Sequence, residues 1–299
     1  MPIINAATLD GAFESLKGLF DATLQSAKDD FGFTLDPFMD TMTGTGKSVT
    51  VNWFGDIPAL RKWVGDRQVR NLRGKAYTIT NVPWEDTVGV DVIDINTDQF
   101  GLIRPQVQRM AREVLRFKLR RFAVALEANG LCADGQNLMD DDHPKDDGTT
   151  WDNKGTAALT YDNLMTALKV GPAITDMNGD PAGISYDTLM VPVALMEEAY
   201  QYTQAVGKPG TANNDINIVN RLGLKPVINP FLTDANNWYL LDSKAPVKPF
   251  LYTEAAGSNL GALAEDRSQE FAKGQILYGV DGWAEVSPYF PYGLYGSIV

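Results

Sequence analysis

Residues 49–92 carry two β-patterned runs on either side of a long polar insert, and this arrangement constrains the fold most. In Val49-Thr50-Val51-Asn52-Trp53 the apolar side chains alternate with polar ones, which puts them on one face of a strand. Tyr77-Thr78-Ile79-Thr80 alternates again, and Val88, Val90 and Val92 define a further strand face. At Ile93-Asp94-Ile95 the alternation changes phase, which marks a bulge or a strand end. Between the runs, Pro58 to Val64 predicts a short helix with Ile57, Leu60 and Trp63 on one face, followed by clustered Arg67, Arg70, Arg73 and Lys75. The whole reads as a long β-hairpin with an elaborated tip. Such a hairpin buries little within its own chain, so its apolar side needs a partner.

Helical spacing brackets the hairpin. Leu9, Phe13, Leu16, Phe20, Leu24, Ala27 and Phe31 predict an amphipathic helix over 8–31, and residues 32–48 then lose periodicity, like a mobile arm. Ile103, Val107, Met110, Val114, Phe117, Phe122 and Leu126 give the strongest helix signal, over 102–128, with Pro105 in the first turn and Gly130 at the stop. That helix also carries Arg104, Arg109, Arg112, Arg116, Lys118, Arg120 and Arg121. The stripe is either a solvated face or a complement to acidic neighbours. Further on, a helix is predicted over 160–176, a buried strand over 189–192, a helix near 193–203 and a flexible loop over 207–214. The order helix, hairpin, long helix, then mixed elements is an α+β arrangement.

The formal net charge is −12, which argues against a sequence reader of nucleic acid, because such binding is driven by Lys and Arg neutralising phosphates. Charge of this sign suits a container wall that must not adhere to a packed polyanion, and it equally suits plain solubility. The longest apolar runs are too short for a membrane span. A single cysteine, Cys132, excludes an intrachain disulfide and reads as a small structural residue.

Chemistry-bearing motifs fall short of their patterns. Thr43-Gly44-Thr45-Gly46-Lys47-Ser48 has Thr41 where a phosphate loop needs its first glycine, and it opens a strand rather than a helix. In Asp140-Asp141-Asp142-His143-Pro144 the proline occupies a ligand position of a calcium loop, and the single histidine cannot build a zinc site, so the segment reads as an exposed acidic loop. His143 also lacks a nucleophile elbow to serve. No catalytic, cofactor or metal site is expected.

Trp53-Phe54-Gly55-Asp56-Ile57-Pro58-Ala59-Leu60-Arg61-Lys62-Trp63-Val64-Gly65-Asp66-Arg67 resembles the signature of the Mu-like phage major head subunit, the T protein family. Tyr77-Thr78-Ile79-Thr80-Asn81, Trp84-Glu85-Asp86-Thr87-Val88-Gly89-Val90 and Asp141-Asp142-His143-Pro144 extend the similarity, as do Phe271-Ala272-Lys273-Gly274-Gln275 and Tyr278-Gly279-Val280. The resemblance implies the HK-97-like major capsid fold. On that basis residues 1–48 are expected to form an N-terminal arm, 49–88 an E-loop, 89–204 and 263–299 a peripheral domain whose spine helix is 102–128, and 205–262 an axial domain.

It further implies a structural head protein rather than an enzyme, self-assembling as hexamers and pentamers into an icosahedral shell around double-stranded DNA in the bacterial cytoplasm. Phe13, Phe20, Trp53, Trp63, Arg67, Arg70, Arg73, Lys75 and Tyr77 are the expected inter-subunit contacts. The nearness of the chain start to the arm predicts a separate scaffold protein. A portal is expected as well, and a decoration protein is compatible. The rival readings are an encapsulin-like nanocompartment and, from another class, a soluble acidic hydrolase.

Overall fold

A computed structural model describes residues 6–26, 32–53, 75–96, 100–145, 148–175, 179–210 and 215–299. The chain opens with α1 (Ala6–Ser26), β1 (Met39–Gly44), β2 (Ser48–Trp53), β3 (Lys75–Thr80), β4 (Val82–Asp91), α2 (Val92–Asn96) and the long α3 (Phe100–Ala128). Short pieces follow: β5 (His143–Pro144), β6 (Thr150–Trp151), β7 (Lys154–Gly155), α4 (Tyr161–Ala167) and α5 (Val170–Ala173). Next come β8 (Thr188–Val191), α6 (Met196–Gln204), α7 (Ile218–Leu222), β9 (Lys225–Ile228) and β10 (Trp238–Leu241). The last elements are β11 (Phe250–Ala255), β12 (Ala264–Asp266), α8 (Glu270–Lys273), β13 (Gln275–Pro288) and β14 (Leu294–Ser297).

β13 organises the first sheet. Its residues alternate strictly between the enclosed face, with Ile276, Tyr278, Val280, Ala284 and Val286, and the other face. β4 pairs along one edge, while β12 and β11 take successive stretches of the other. α1 and α3 cover the enclosed face. Leu9, Leu16 and Phe20 of α1 pack on Ile103, Val107, Met110 and Val114 of α3. Each such fully buried side chain contributes about 1.5–3 kcal/mol.

β1 lies parallel to β11, in register from Met39↔Phe250 to Gly44↔Ala255. The stretch expected to be a mobile arm is therefore an edge strand. Its side chains are mostly exposed, so it shows no apolar alternation; backbone hydrogen bonds hold it. α1 ends its described length at Ser26, and 27–31, the end of the predicted helix, lie outside the described residues.

The second sheet has the order β7-β14-β10-β8-β9. β8 and β9 are parallel and joined through α6 and α7, so residues 188–228 belong to one unit. The domain boundary expected at 204/205 cuts through that unit. β11 and β12, expected in the axial portion, are strands of the first sheet. Sequence order does not reveal such pairing between distant strands.

The helix predicted over 160–176 is broken into α4 and α5. Thr160 caps α4, its Oγ1 accepting the Asn163 N–H at 3.2 Å. α3 starts at Phe100, two residues earlier than predicted, and so places Pro105 beyond its first turn. Its left-handed terminal residue is Asn129 (φ 47°), not Gly130, because the Asn129 amide also brackets Met139: it accepts that residue's N–H at 2.7 Å and donates to its carbonyl at 3.0 Å.

Candidate assembly surfaces

β2 and β3 form the predicted antiparallel hairpin, from Ser48↔Thr80 out to Trp53↔Lys75. Its base is better covered than the alternation alone implied: Val49, Val51 and Ile79 pack on Leu251 of β11. Tyr77, half exposed, donates its hydroxyl to the Leu131 carbonyl at 3.0 Å and ties the hairpin root to the loop after α3. Trp53 and Lys75 are backbone partners at the outer end of the described ladder. Trp63, Arg67, Arg70 and Arg73, with the predicted helix over 58–64, lie outside the described residues.

On α1, Phe13 is half buried and stacks on Tyr278 at 6.2 Å. Phe20 is wholly enclosed between α1 and α3, so in this conformation it presents nothing to a neighbour. Arg267 fastens the same helix: one guanidinium nitrogen donates to Asp10 at 2.6 Å and to Glu265 at 2.9 Å.

An apolar face that the sequence reading did not single out lies on the second unit. Val193 in the 3-10 turn before α6, and Met196 and Tyr200 on α6, follow one another at helical spacing, and all are exposed. Ile218 and Leu222 on α7, with Val206 and Ile216 in the connection, are exposed as well. α6 and α7 pack together, so these residues belong to one region of the surface. A concentration of large exposed apolar side chains is the usual mark of an interaction site. The signal was present in sequence as Val193-x-x-Met196-x-x-x-Tyr200, but periodicity does not distinguish a stripe turned inward from one turned outward.

On α3, Arg104, Arg109, Arg112, Arg116 and Arg120 are exposed. Arg120 pairs with Glu113 at 2.6 Å. Arg121 instead turns toward the sheet and bonds Glu285.

The motifs tested for chemistry resolve structurally. The 43–48 segment turns from β1 into β2, and Lys47 places its ammonium 4.7 Å from the Trp283 ring centre. Asp140, Asp141 and Asp142 gather their carboxylates within 4.8 Å of one another. Burial pulls the Asp140 carboxyl up, but N–H groups of Asp141 and Asn137 and neighbouring side-chain bonds outweigh it and hold it low.

The exposed-loop expectation fails at His143, which is fully buried. Its Nδ1 lies 2.7 Å from Asp134 Oδ2 and its Nε2 3.2 Å from Asn153 Oδ1. The ring stacks on Trp151, which stacks on Tyr292. Asn153 donates to the carbonyls of Leu138 and Pro291, so the cluster joins the acidic loop to the turn that leads into β14. Both ring nitrogens are engaged by protein oxygens, which makes His143 a structural hub. Cys132 is buried too, and burial followed by the Asp134 charge pushes its thiol up, away from nucleophilic character. Among the described residues no helix is long and apolar enough to cross a membrane.

A long helix packed on a sheet with an adjoining hairpin, joined to a second sheet, is the fold of tailed-phage capsid subunits. The similarity is measurable: the chain superposes on the procapsid subunit of bacteriophage JBD30 with a TM-score of 0.54 at 23% identity, covering 99% of this chain and 76% of that one. A virus-like particle from Pyrococcus furiosus gives a TM-score of 0.53 at 11% identity, covering 95% and 98%. Residues 9–158 and 225–297 match the profile of the Mu-like prophage major head subunit gpT, and the chain belongs to that family.

Two curated relatives agree with that membership. The major capsid protein of Escherichia phage Mu is 28% identical over 148 residues, 48% of this chain and 46% of the relative. The Mu-like prophage FluMu major head subunit of Haemophilus influenzae is 24% identical over 277 residues, 91% and 69% respectively. The first match thus spans less than half of the phage Mu protein.

Proposed function

We propose that copies of this chain assemble into the closed icosahedral head of a tailed phage or prophage, as hexamers and pentamers around double-stranded DNA that is held without sequence recognition. The observation that carries this reading, beside family membership, is the uncovered apolar face of Met196, Tyr200, Ile218 and Leu222 on a protein whose cores are otherwise well filled. A subunit of a shell needs such a face; a solitary chain does not. Each contact can be modest, because many sum over a closed surface.

The unit built on the second sheet, with α6 and α7, takes the axial position, where copies meet around a rotation axis. The unit of α3 and β13 takes the peripheral one. Trp53, Lys75 and Tyr77 belong to the hairpin strands, which reach a neighbouring copy; Trp63, Arg67, Arg70 and Arg73, between those strands in sequence, are proposed contacts as well. Phe13 contributes from α1. The exposed arginines of α3 meet acidic surfaces of adjoining copies in a chain of net charge −12. A scaffold protein and a portal act during assembly in the host cytoplasm, and a decoration protein is compatible with the outer surface. No step requires a cofactor, and the role is structural rather than enzymatic.

Electron microscopy of the expressed chain, with and without the scaffold of its phage, tests the reading. Closed shells containing nucleic acid after infection support it. Shells enclosing a cargo enzyme instead would support a nanocompartment.

A further inference from the structure

Phe271 stands with its ring wholly in solvent, at a relative exposure of 104%. Phe20, Phe38, Phe122 and Phe250 are buried, and Phe13, Phe33, Phe117, Phe231 and Phe290 are half buried, so its position is exceptional among the described phenylalanines. Leaving an aromatic ring in water forfeits a large burial gain.

The ring stands on an ordered platform. α8 closes on Gly274 (φ +65°), whose N–H reaches the Glu270 carbonyl at 2.9 Å and whose carbonyl accepts the Val92 N–H at 2.8 Å. Asp266 accepts the Ser268 N–H at 2.7 Å and its hydroxyl at 2.9 Å, bonds that also draw its carboxyl below the usual range. Arg267 adds the anchor to Asp10. A preordered tip loses little freedom on docking.

A cleft of about 380 Å³ opens elsewhere on the first unit, between the end of α1, the middle of α3 and the loop after β11. Leu24, Val114, Leu115, Leu260 and Ala262 supply apolar lining. Lys118 and Glu254 stand on it as charges of opposite sign, Lys118 lying 4.5 Å from the Tyr252 ring centre. An enclosed apolar cavity of about 150 Å³ admits a benzene ring, so this open cleft has volume enough for a phenyl group. Glu270 and Lys273 flank Phe271, which matches the cleft's Lys118 and Glu254 in sign.

Insertion within one chain is excluded by length. α8 feeds β13 at Gln275, whereas the loop lining the cleft is tied to β13 by the Asn259 N–H on the Asp281 carbonyl, six residues along the same strand. At about 3.4 Å per residue that is about 20 Å, beyond a side chain's reach.

We infer that Phe271 of one copy inserts into the α1–α3–β11 cleft of a second copy. The contact is heterologous, knob to hole, and so propagates from copy to copy as a shell requires. The inference rests on the shell reading, which supplies the second copy.

Phe271→Ser tests it. The ring touches nothing in its own chain, so the thermal unfolding of the isolated subunit stays unchanged. The concentration needed for assembly rises about tenfold or more, as for loss of an aromatic anchor, and Phe271→Leu recovers part of it. A paired Ala262→Cys, Ala272→Cys variant, treated with a short bis-maleimide after assembly, yields ladders of linked chains; buried Cys132 does not compete. Wild-type shells matched in concentration dependence by Phe271→Ser, or crosslinks confined to single chains, overturn this inference and leave the shell reading standing. A wild-type chain that never assembles overturns both.

Discussion

Arg121 directs two nitrogens at one oxygen of Glu285: Nε at 2.9 Å and a terminal nitrogen at 2.6 Å, across 164 residues of sequence. The guanidinium also lies 5.3 Å from the Trp84 ring centre, and Trp84 donates its indole N–H to the Ala284 carbonyl at 3.1 Å. One side chain of α3 thus holds β13 and β4 together. Both partners are largely buried, so removing one strands the other. Glu285→Ala is expected to destabilise the subunit by about 1–3 kcal/mol, read as a lower urea midpoint.

The His143 cluster should be more sensitive. His143→Ala removes the ring from between Asp134 and Asn153 and from its stack on Trp151. The expected loss is about 3 kcal/mol or more, because a buried carboxylate forfeits its ring partner and a cavity opens. Thermal unfolding of the purified variant measures it, and a shift within error of wild type would contradict the assignment of a structural hub.

Asp187 predicts a pH dependence. Burial raises its carboxyl, but the Ser243 hydroxyl at 2.5 Å, the Ser243 N–H at 3.0 Å and the Thr188 hydroxyl at 3.0 Å outweigh it and leave it depressed. A carboxyl depressed on folding stabilises above its unfolded value, about 3.9, and that contribution fades as pH falls through the lower folded value. Asp187→Asn is therefore less stable than wild type at pH 7, and the gap closes on acidification below about pH 4. Urea midpoints at a series of pH values give the comparison.

How much of this was legible in sequence follows from the range of the interactions. α3 and the β2–β3 pair were read correctly because their patterns are local: Val107, Met110 and Val114 repeat at helical spacing, and Val49 and Val51 alternate. β1 was missed because an edge strand held by parallel backbone pairing to β11 carries no apolar period. The grouping of β8, β9 and β10 in one sheet was not legible because they join only through pairing between separate segments. His143 read as exposed because its neighbours are aspartates; the ring that stacks on it, Trp151, comes from the paired strand β6, and Tyr292, remote in sequence, stacks on Trp151 in turn. Phe271 lay inside a family-like motif, but no local pattern distinguishes a ring left in solvent from one enclosed.

The apolar face on α6 and α7 should be separable from folding. Tyr200→Glu and Leu222→Lys place charges on exposed positions and are expected to change subunit stability by no more than about 0.5 kcal/mol. Both should sharply reduce assembly, since a charge buried at a copy-to-copy contact lacks a partner. Light scattering during assembly, set beside thermal unfolding of the same samples, distinguishes the two effects.

The most direct test of the shell reading is the sedimentation of the expressed chain, alone and with the proposed scaffold protein. The account predicts megadalton particles of uniform size, resolved by electron microscopy as closed shells in which the α6–α7 face is covered by a neighbouring copy. A chain that sediments as a monomer or dimer under every assembly condition would contradict it.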